Sequence, residues 1–217
     1  MSFEILLELI CGLCWTITYI LIIIKSLKDK TYGIPYVAFC LNLAWEFTFL
    51  ILHKPTAYPI AKYVFIPWLV LDLFVLYIFF KYGYKEFHRK YNINRTLYIL
   101  FTLFSIICSV IIMYLFAIDF SPLYKNDVIQ AGGFIANCQN LIMSVLFVYM
   151  LLDRKNLRGQ SIYIAIFKWV GTLAIAILKF KGILPFIPGE IFVIFLIQVF
   201  DIMYIALLFK FNKSLYS

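Results

Sequence analysis

Asn42, Trp45 and Glu46 stand at i, i+3 and i+4 inside the apolar run from Cys40 to Leu50. On a helix they share one face, so an amide can steady a carboxyl while an indole borders it. A second acid, Asp201, interrupts the run Ile197–Tyr204, where Gln198, Asp201 and Tyr204 form an i, i+3, i+6 stripe. Trp68 and Asp72 repeat the i, i+4 relation in a third segment. An ionised carboxylate deep in a membrane helix costs several kcal/mol unless it is paired, wetted or protonated. Lys168 is the sole cation well inside an apolar run, and it cannot neutralise three acids. Burial and like charge therefore favour holding at least one carboxyl as the neutral acid. A neutral carboxylic acid in an apolar, aromatic-rich space is a proton donor.

The elements that position these groups are membrane helices. Of 217 residues, 65% are hydrophobic and 14% charged, against about 45–50% and roughly 25% in soluble domains. A spanning helix needs about 20 mostly apolar residues. The sequence predicts seven, over 3–24, 33–53, 63–81, 97–117, 127–152, 161–180 and 187–209. The expected architecture is an all-α, seven-transmembrane bundle in a single domain, 1–217, since no linker separates two folding units. At about 1.5 Å per residue, Glu46 lies roughly 20 Å and Asp201 roughly 12 Å from the same membrane face, with Asp72 between them in one central layer.

Positive charge gathers in the connections after the first, third and fifth helices and at the C-terminus, thirteen Lys and Arg against five on the other side. That bias places the C-terminus in the cytoplasm and the N-terminus outside. It also accounts for the net charge of +8 without nucleic acid and makes the lipid bilayer the natural partner. The first helix begins at Phe3 without a basic leader or small-residue cleavage site and reads as retained. The composition, rich in Ile, Lys and Phe, suits a bacterial inner membrane better than a eukaryotic endomembrane. Cys11, Cys14, Cys40, Cys108 and Cys138 fall within spans and read as packing residues, and Cys11-x-x-Cys14 lacks the second ligand pair of a zinc site.

Each polar residue also has a structural reading. Buried Asn, Gln and Asp join helices by hydrogen bonds, which for Asp72 weighs as much as catalysis. Asn137, Asn140 and Ser144 share a stripe on the fifth helix, with Gln139 to the side. Lys168 lies near the cytoplasmic third of its helix, where snorkelling is expected. Glu4, Glu8, Asp119 and Glu190 lie at outer span ends and are expected at the interface. Trp15, Trp45, Trp68 and Trp169 either pack or line a cavity whose π-faces stabilise a cation.

Taken together, Tyr32-Gly33-Ile34-Pro35 with Asn42-x-x-Trp45-Glu46, Trp68-x-x-x-Asp72, Gln139-Asn140, the run Arg154 to Ser161, Lys168-Trp169-Val170-Gly171-Thr172 and Asp201-x-x-Tyr204 resemble the small integral-membrane terpene cyclases. These act in fungal meroterpenoid and indole-diterpene pathways and have bacterial relatives. The resemblance implies cyclisation of a linear polyprenyl chain, free or head-group-linked, begun by protonating an epoxide or terminal alkene. It implies Glu46 and Asp201 as the catalytic acids. Asn42, Trp45, Trp68, Asp72, Gln139, Asn140, Lys168, Gln198 and Tyr204 are expected to support them or to line the substrate cavity. The expected partner is a lipophilic isoprenoid, with no metal and no cofactor. No Asp-rich cluster for Mg²⁺-dependent ionisation of a diphosphate and no glycine-rich phosphate loop is present. The competing reading is a small seven-helix proton-coupled transporter that uses Glu46, Asp72 and Asp201 as a relay, but mid-span Gly and Pro are scarce.

Overall fold

Helix starts follow local chemistry. Asn94, Asp127 and Ser161 each accept a hydrogen bond from a first-turn amide, at Leu97, at Ile129 and Gln130, and at Ile164. Asn92, Lys125 and Lys155 turn the chain out of a helix in the left-handed conformation. The computed structural model describes residues 3–56 and 61–214. Among these the helices are α1 (Phe3–Asp29), α2 (Tyr36–Phe47), α3 (Ala61–Ile78), α4 (Tyr84–Tyr91), α5 (Arg95–Phe120), α6 (Val128–Arg154), α7 (Ile162–Phe180) and α8 (Pro188–Ser214).

The predicted count of seven spans corresponds to seven helical rods, because α3 runs into α4 through a π-turn at Phe79–Gly83. Among the described residues, six rods are long and apolar enough to cross a membrane. The seventh, α2 with its own π-turn at Thr48–Leu52, is shorter. The third rod extends well past the expected end at 81. There the surface turns polar, so Lys85, Arg89 and Lys90 sit on exposed helix rather than in a loop.

The bundle is apolar outside and polar within. Leu13, Phe104 and Phe192 are more than 60% exposed, while Asn42, Glu46, Asp72, Lys168, Glu190 and Asp201 are buried. That inversion is what lipid demands, since an amide or acid facing hydrocarbon has no partner. Helix α1 packs most extensively on α7, α6 packs on α8, and α2 packs on α5, α6 and α3. At the base of the bundle, Gly33 and Gly159 meet closely. A Cβ on Gly159 (φ +72°) would lie 2.6 Å from the Tyr32 carbonyl, and one on Gly33 would lie 2.7 Å from the Gly159 carbonyl. Arg154 bonds the Tyr32 and Arg158 carbonyls and Glu86, and stacks its guanidinium 4.2 Å from the centre of the Tyr32 ring. Two of the segments read as motifs thus clasp one another and fix where α2 begins.

Candidate active site

Glu46 enters a cavity of about 280 Å³ lined by α1, α2, α3, α6 and α7. Helix α2 carries Asn42, Trp45 and Glu46 to its wall as the spacing requires, and Phe49 joins them from the π-turn. π-turns recur at functional sites because they re-aim side chains within a helix. Here the turn abuts Gly132, where any Cβ would collide with the Phe49 ring. Trp45 Nε1 donates to the Gly132 carbonyl at 2.9 Å, which fixes the indole. The glycine lets α6 come close enough to make that bond.

Polar and aromatic groups divide the cavity. Asn42 Nδ2 donates to Tyr19 Oη and, at 2.9 Å, to Asp72 Oδ2. Asp72 is fully buried behind Asn42 and does not line the cavity. Glu46 is 2% exposed, and its Oε2 has no hydrogen-bond partner among the described residues. Gln139 Oε1 and Asn140 Oδ1, on the same cavity, are likewise buried without partners, while Asn140 Nδ2 donates to Thr172 at 3.1 Å. Around them stand Trp45 and Phe65 edge to face at 5.1 Å, Trp45 and Phe49 at 5.1 Å, and Phe65 and Trp68 at 6.2 Å. Trp68 is anchored by Nε1 donating to Thr16 Oγ1 at 3.0 Å.

Asp201 lies elsewhere. Its two oxygens accept from Lys168 Nζ at 2.8 and 3.0 Å, and Lys168 also donates to Ser144 at 2.8 Å. Lys168 is 1% exposed, so the expected snorkelling does not occur: the buried carboxylate holds the ammonium inside. Its Nζ lies 5.8 Å from the centre of the Trp15 ring, and Trp15 lines the Glu46 cavity. Gly171 admits that indole, since a Cβ there would meet Trp15 Cδ1 at 2.9 Å. Gln198 accepts from Trp169 Nε1 at 2.9 Å, and Tyr204 donates to Gln160 at 3.0 Å. Neither lines the cavity.

Of the eleven residues named from sequence, six therefore line one cavity: Asn42, Trp45, Glu46, Trp68, Gln139 and Asn140. Asp72 touches it through Asn42, and Lys168 and Asp201 form a separate pair behind Trp15. The three acids do not share one pocket. Glu190, expected at the interface, is fully buried and bonded to Lys179 at 2.7 Å, Asn137 at 2.7 Å and Tyr124 at 3.0 Å. Opposite charges near the adjoining ends of α7 and α8 were the available signal for that pair. Tyr19, Phe49 and Phe65 also line the cavity, and an isolated aromatic in an apolar run carries no spacing signal that could point to them.

Comparison with known proteins gives one consistent answer. The profile of the Pyr4-like transmembrane terpene cyclases matches residues 2–184, a region that includes Glu46, Asp72 and Lys168 and stops short of Asp201. The Pyr4-family terpene cyclase mfmH of Annulohypoxylon moriforme is 32% identical over 166 residues, 76% of this chain and 65% of that protein. Terpene cyclase andB of Emericella variicolor is 28% identical over 162 residues, 75% of this chain and 65% of that protein. Terpene cyclase dpfgB of Gibberella zeae is 31% identical over 183 residues, 80% of this chain and 70% of that protein. The matched region thus spans about two thirds of the length of these relatives. No solved structure matches the chain. With a family match from α1 through α7 and six apolar helices of membrane length, the chain is an integral membrane protein and belongs to the Pyr4-like transmembrane terpene cyclases.

Proposed function

We propose that this chain cyclises a linear polyprenyl substrate, free or joined to another group, by protonating its epoxide or terminal alkene from Glu46. One observation carries the proposal: Glu46 is the buried acid that opens into an aromatic-walled cavity with a carboxyl oxygen unpartnered among the described residues and no cation bonded to it. Buried and unpartnered, that carboxyl is suited to being the neutral acid.

The proton moves from Glu46 to the epoxide oxygen, or to the terminal alkene carbon. The C–O bond breaks with its electron pair going to the oxygen, which becomes a hydroxyl, or the π pair becomes the new C–H bond, and a carbocation is left on the chain. Successive alkenes attack it, and the cation migrates along the folded chain. A C–H bond beside the final cation gives up its proton as a C=C bond forms, while the Glu46 carboxylate regains one proton so that the product is an isomer of the substrate. Trp45, Phe49, Phe65 and Trp68 offer π-faces to the migrating charge. Asn42 holds the α2 face in register through Tyr19 and Asp72.

Asp201 acts at one remove. An uncompensated ammonium behind Trp15 would repel a cation developing in the cavity, and Asp201 cancels it at 2.8 Å. The same proposal sets the N-terminus outside and the C-terminus in the cytoplasm, with the substrate entering sideways from the bilayer. The test is a product assay on membranes carrying the protein, offered farnesyl and geranylgeranyl substrates in free, head-group-linked, epoxidised and non-epoxidised forms. An isomeric product of unchanged mass that disappears in Glu46→Gln supports the proposal. A product that persists in Glu46→Gln removes Glu46 from the donor role.

A further inference from the structure

A larger cavity lies on the other side of α2. It occupies about 970 Å³ between α2, α5 and the end of α6, beneath α4, and shares no lining residue with the Glu46 cavity. Helix α2 is the partition, with Val37 and Cys40 on one side and Asn42 and Glu46 on the other.

The space is a slot with two unlike ends. Along α5 its wall repeats every fourth residue from Leu97 to Ser109, a length of about 18 Å at 1.5 Å per residue. Val37, Leu97 and Phe101 are each about half exposed, so the trough opens sideways, where acyl tails run. At the α4 end the lining becomes charged, with Arg89, Lys90, Arg154 and Arg158 against Glu86 and Asp153. Lys90 is held by Asp153 at 2.8 Å and Arg154 by Glu86 at 3.0 Å. That leaves two guanidinium groups without a carboxylate partner among the described residues: Arg89, and Arg158, whose Nη2 donates to the Asp29 carbonyl at 3.1 Å.

An apolar trough parallel to the helices, ending in two uncompensated guanidinium groups at the helix termini, is complementary to an amphiphile standing in its own leaflet. Arginine pairs favour phosphate because the planar fork gives two parallel hydrogen bonds. We propose that this slot binds one phosphate-bearing lipid, its phosphate at Arg89 and Arg158 and a hydrocarbon chain along Val37, Leu97 and Phe101. The site is independent of the cyclase reading, and a lipid seated there would buttress the outer face of the helix that carries Glu46.

Native mass spectrometry of the full chain in detergent, titrated with dioleoyl phosphatidic acid, tests the proposal. Dioleoylglycerol supplies the tails without phosphate, and inorganic phosphate supplies phosphate without tails. The expected result is one bound phosphatidic acid, with affinity about tenfold or more weaker in R89A/R158A and similarly weakened in Val37→Trp, which fills the trough from an exposed position. Dioleoylglycerol should bind weakly, and inorganic phosphate should not displace the lipid. Binding unchanged in both variants overturns the site. A loss in R89A/R158A alone reduces it to surface charge attraction and overturns the slot. Displacement by inorganic phosphate at matched concentration overturns the lipid as occupant.

Discussion

Glu46 and Asp201 are both carboxyls 2% exposed in the interior of a helical bundle, yet their surroundings differ in the one respect that decides chemistry. Asp201 has an ammonium at 2.8 Å. Glu190 repeats that arrangement with Lys179 at 2.7 Å. Among the described residues Glu46 has no cation bonded to it, and it opens into a cavity. A buried acid beside an ammonium is already compensated within the fold, whereas a buried acid without a cation bonded to it leaves a carboxyl oxygen free to meet a substrate. The two lysines of α7, rather than the acids themselves, separate the ion-paired carboxylates from the candidate donor.

The sharpest way to break this comparison is Glu46→Gln. The amide keeps shape and burial and removes the transferable proton. Product formation should fall by about 10²–10⁴-fold, the usual contribution of a general acid, while the protein unfolds at an unchanged or higher temperature. The matching change at the pair, Lys168→Met, should act in the opposite way. It leaves Asp201 buried without its cation and should destabilise the fold by about 3–5 kcal/mol, read by thermal or denaturant unfolding in detergent. Lys168→Met with Asp201→Leu should recover most of that loss, because the pair is removed together. Should the double variant stay as unstable as the single, the pair is not the unit described here.

Much of the fold and part of the site were legible in the sequence for stated reasons. Seven rods follow from apolar runs of membrane length, and the i, i+3, i+4 spacing brings Asn42, Trp45 and Glu46 to one wall. Helical spacing fixes which face a residue shares within its own helix, and says nothing of which neighbour that face meets. Hence the position of Lys168 within its own helix predicts a snorkelling cation, and only the packing of α8 places Asp201 beside it. The position of Glu190 near a span end likewise predicts an interfacial acid, and tertiary packing surrounds it with Lys179, Asn137 and Tyr124. The clasp of Gly33 on Gly159 joins residues too far apart for any periodicity to link.

A smaller effect sharpens the comparison from the Glu46 side. Asp72 is buried, does not line the cavity, and reaches Glu46's helix through Asn42 at 2.9 Å. A positioning role predicts that Asp72→Asn lowers kcat by about tenfold with KM nearly unchanged, as a disturbed transition-state alignment does. A purely structural role predicts a loss in folded yield with kcat per folded molecule intact, so the two are separated by normalising turnover to folded protein.

The smallest expected effect concerns the wall itself. Trp45→Phe retains an aromatic face toward Phe49 and Phe65 but deletes the bond from Nε1 to the Gly132 carbonyl. Loss of one buried hydrogen bond costs about 0.5–1.5 kcal/mol, and the Gly132 carbonyl also accepts within α6, which keeps the cost near the lower end. Stability should therefore move little. If Trp45 only packs, turnover and product pattern should be unchanged as well. If its π-face guides the migrating cation, the ring shifts once its anchor is lost, and prematurely deprotonated, less cyclised products of the same mass should rise relative to the main product. That readout depends on where the cation stops. It therefore tests the wall's part in cyclisation apart from proton delivery by Glu46, which the same change leaves in place.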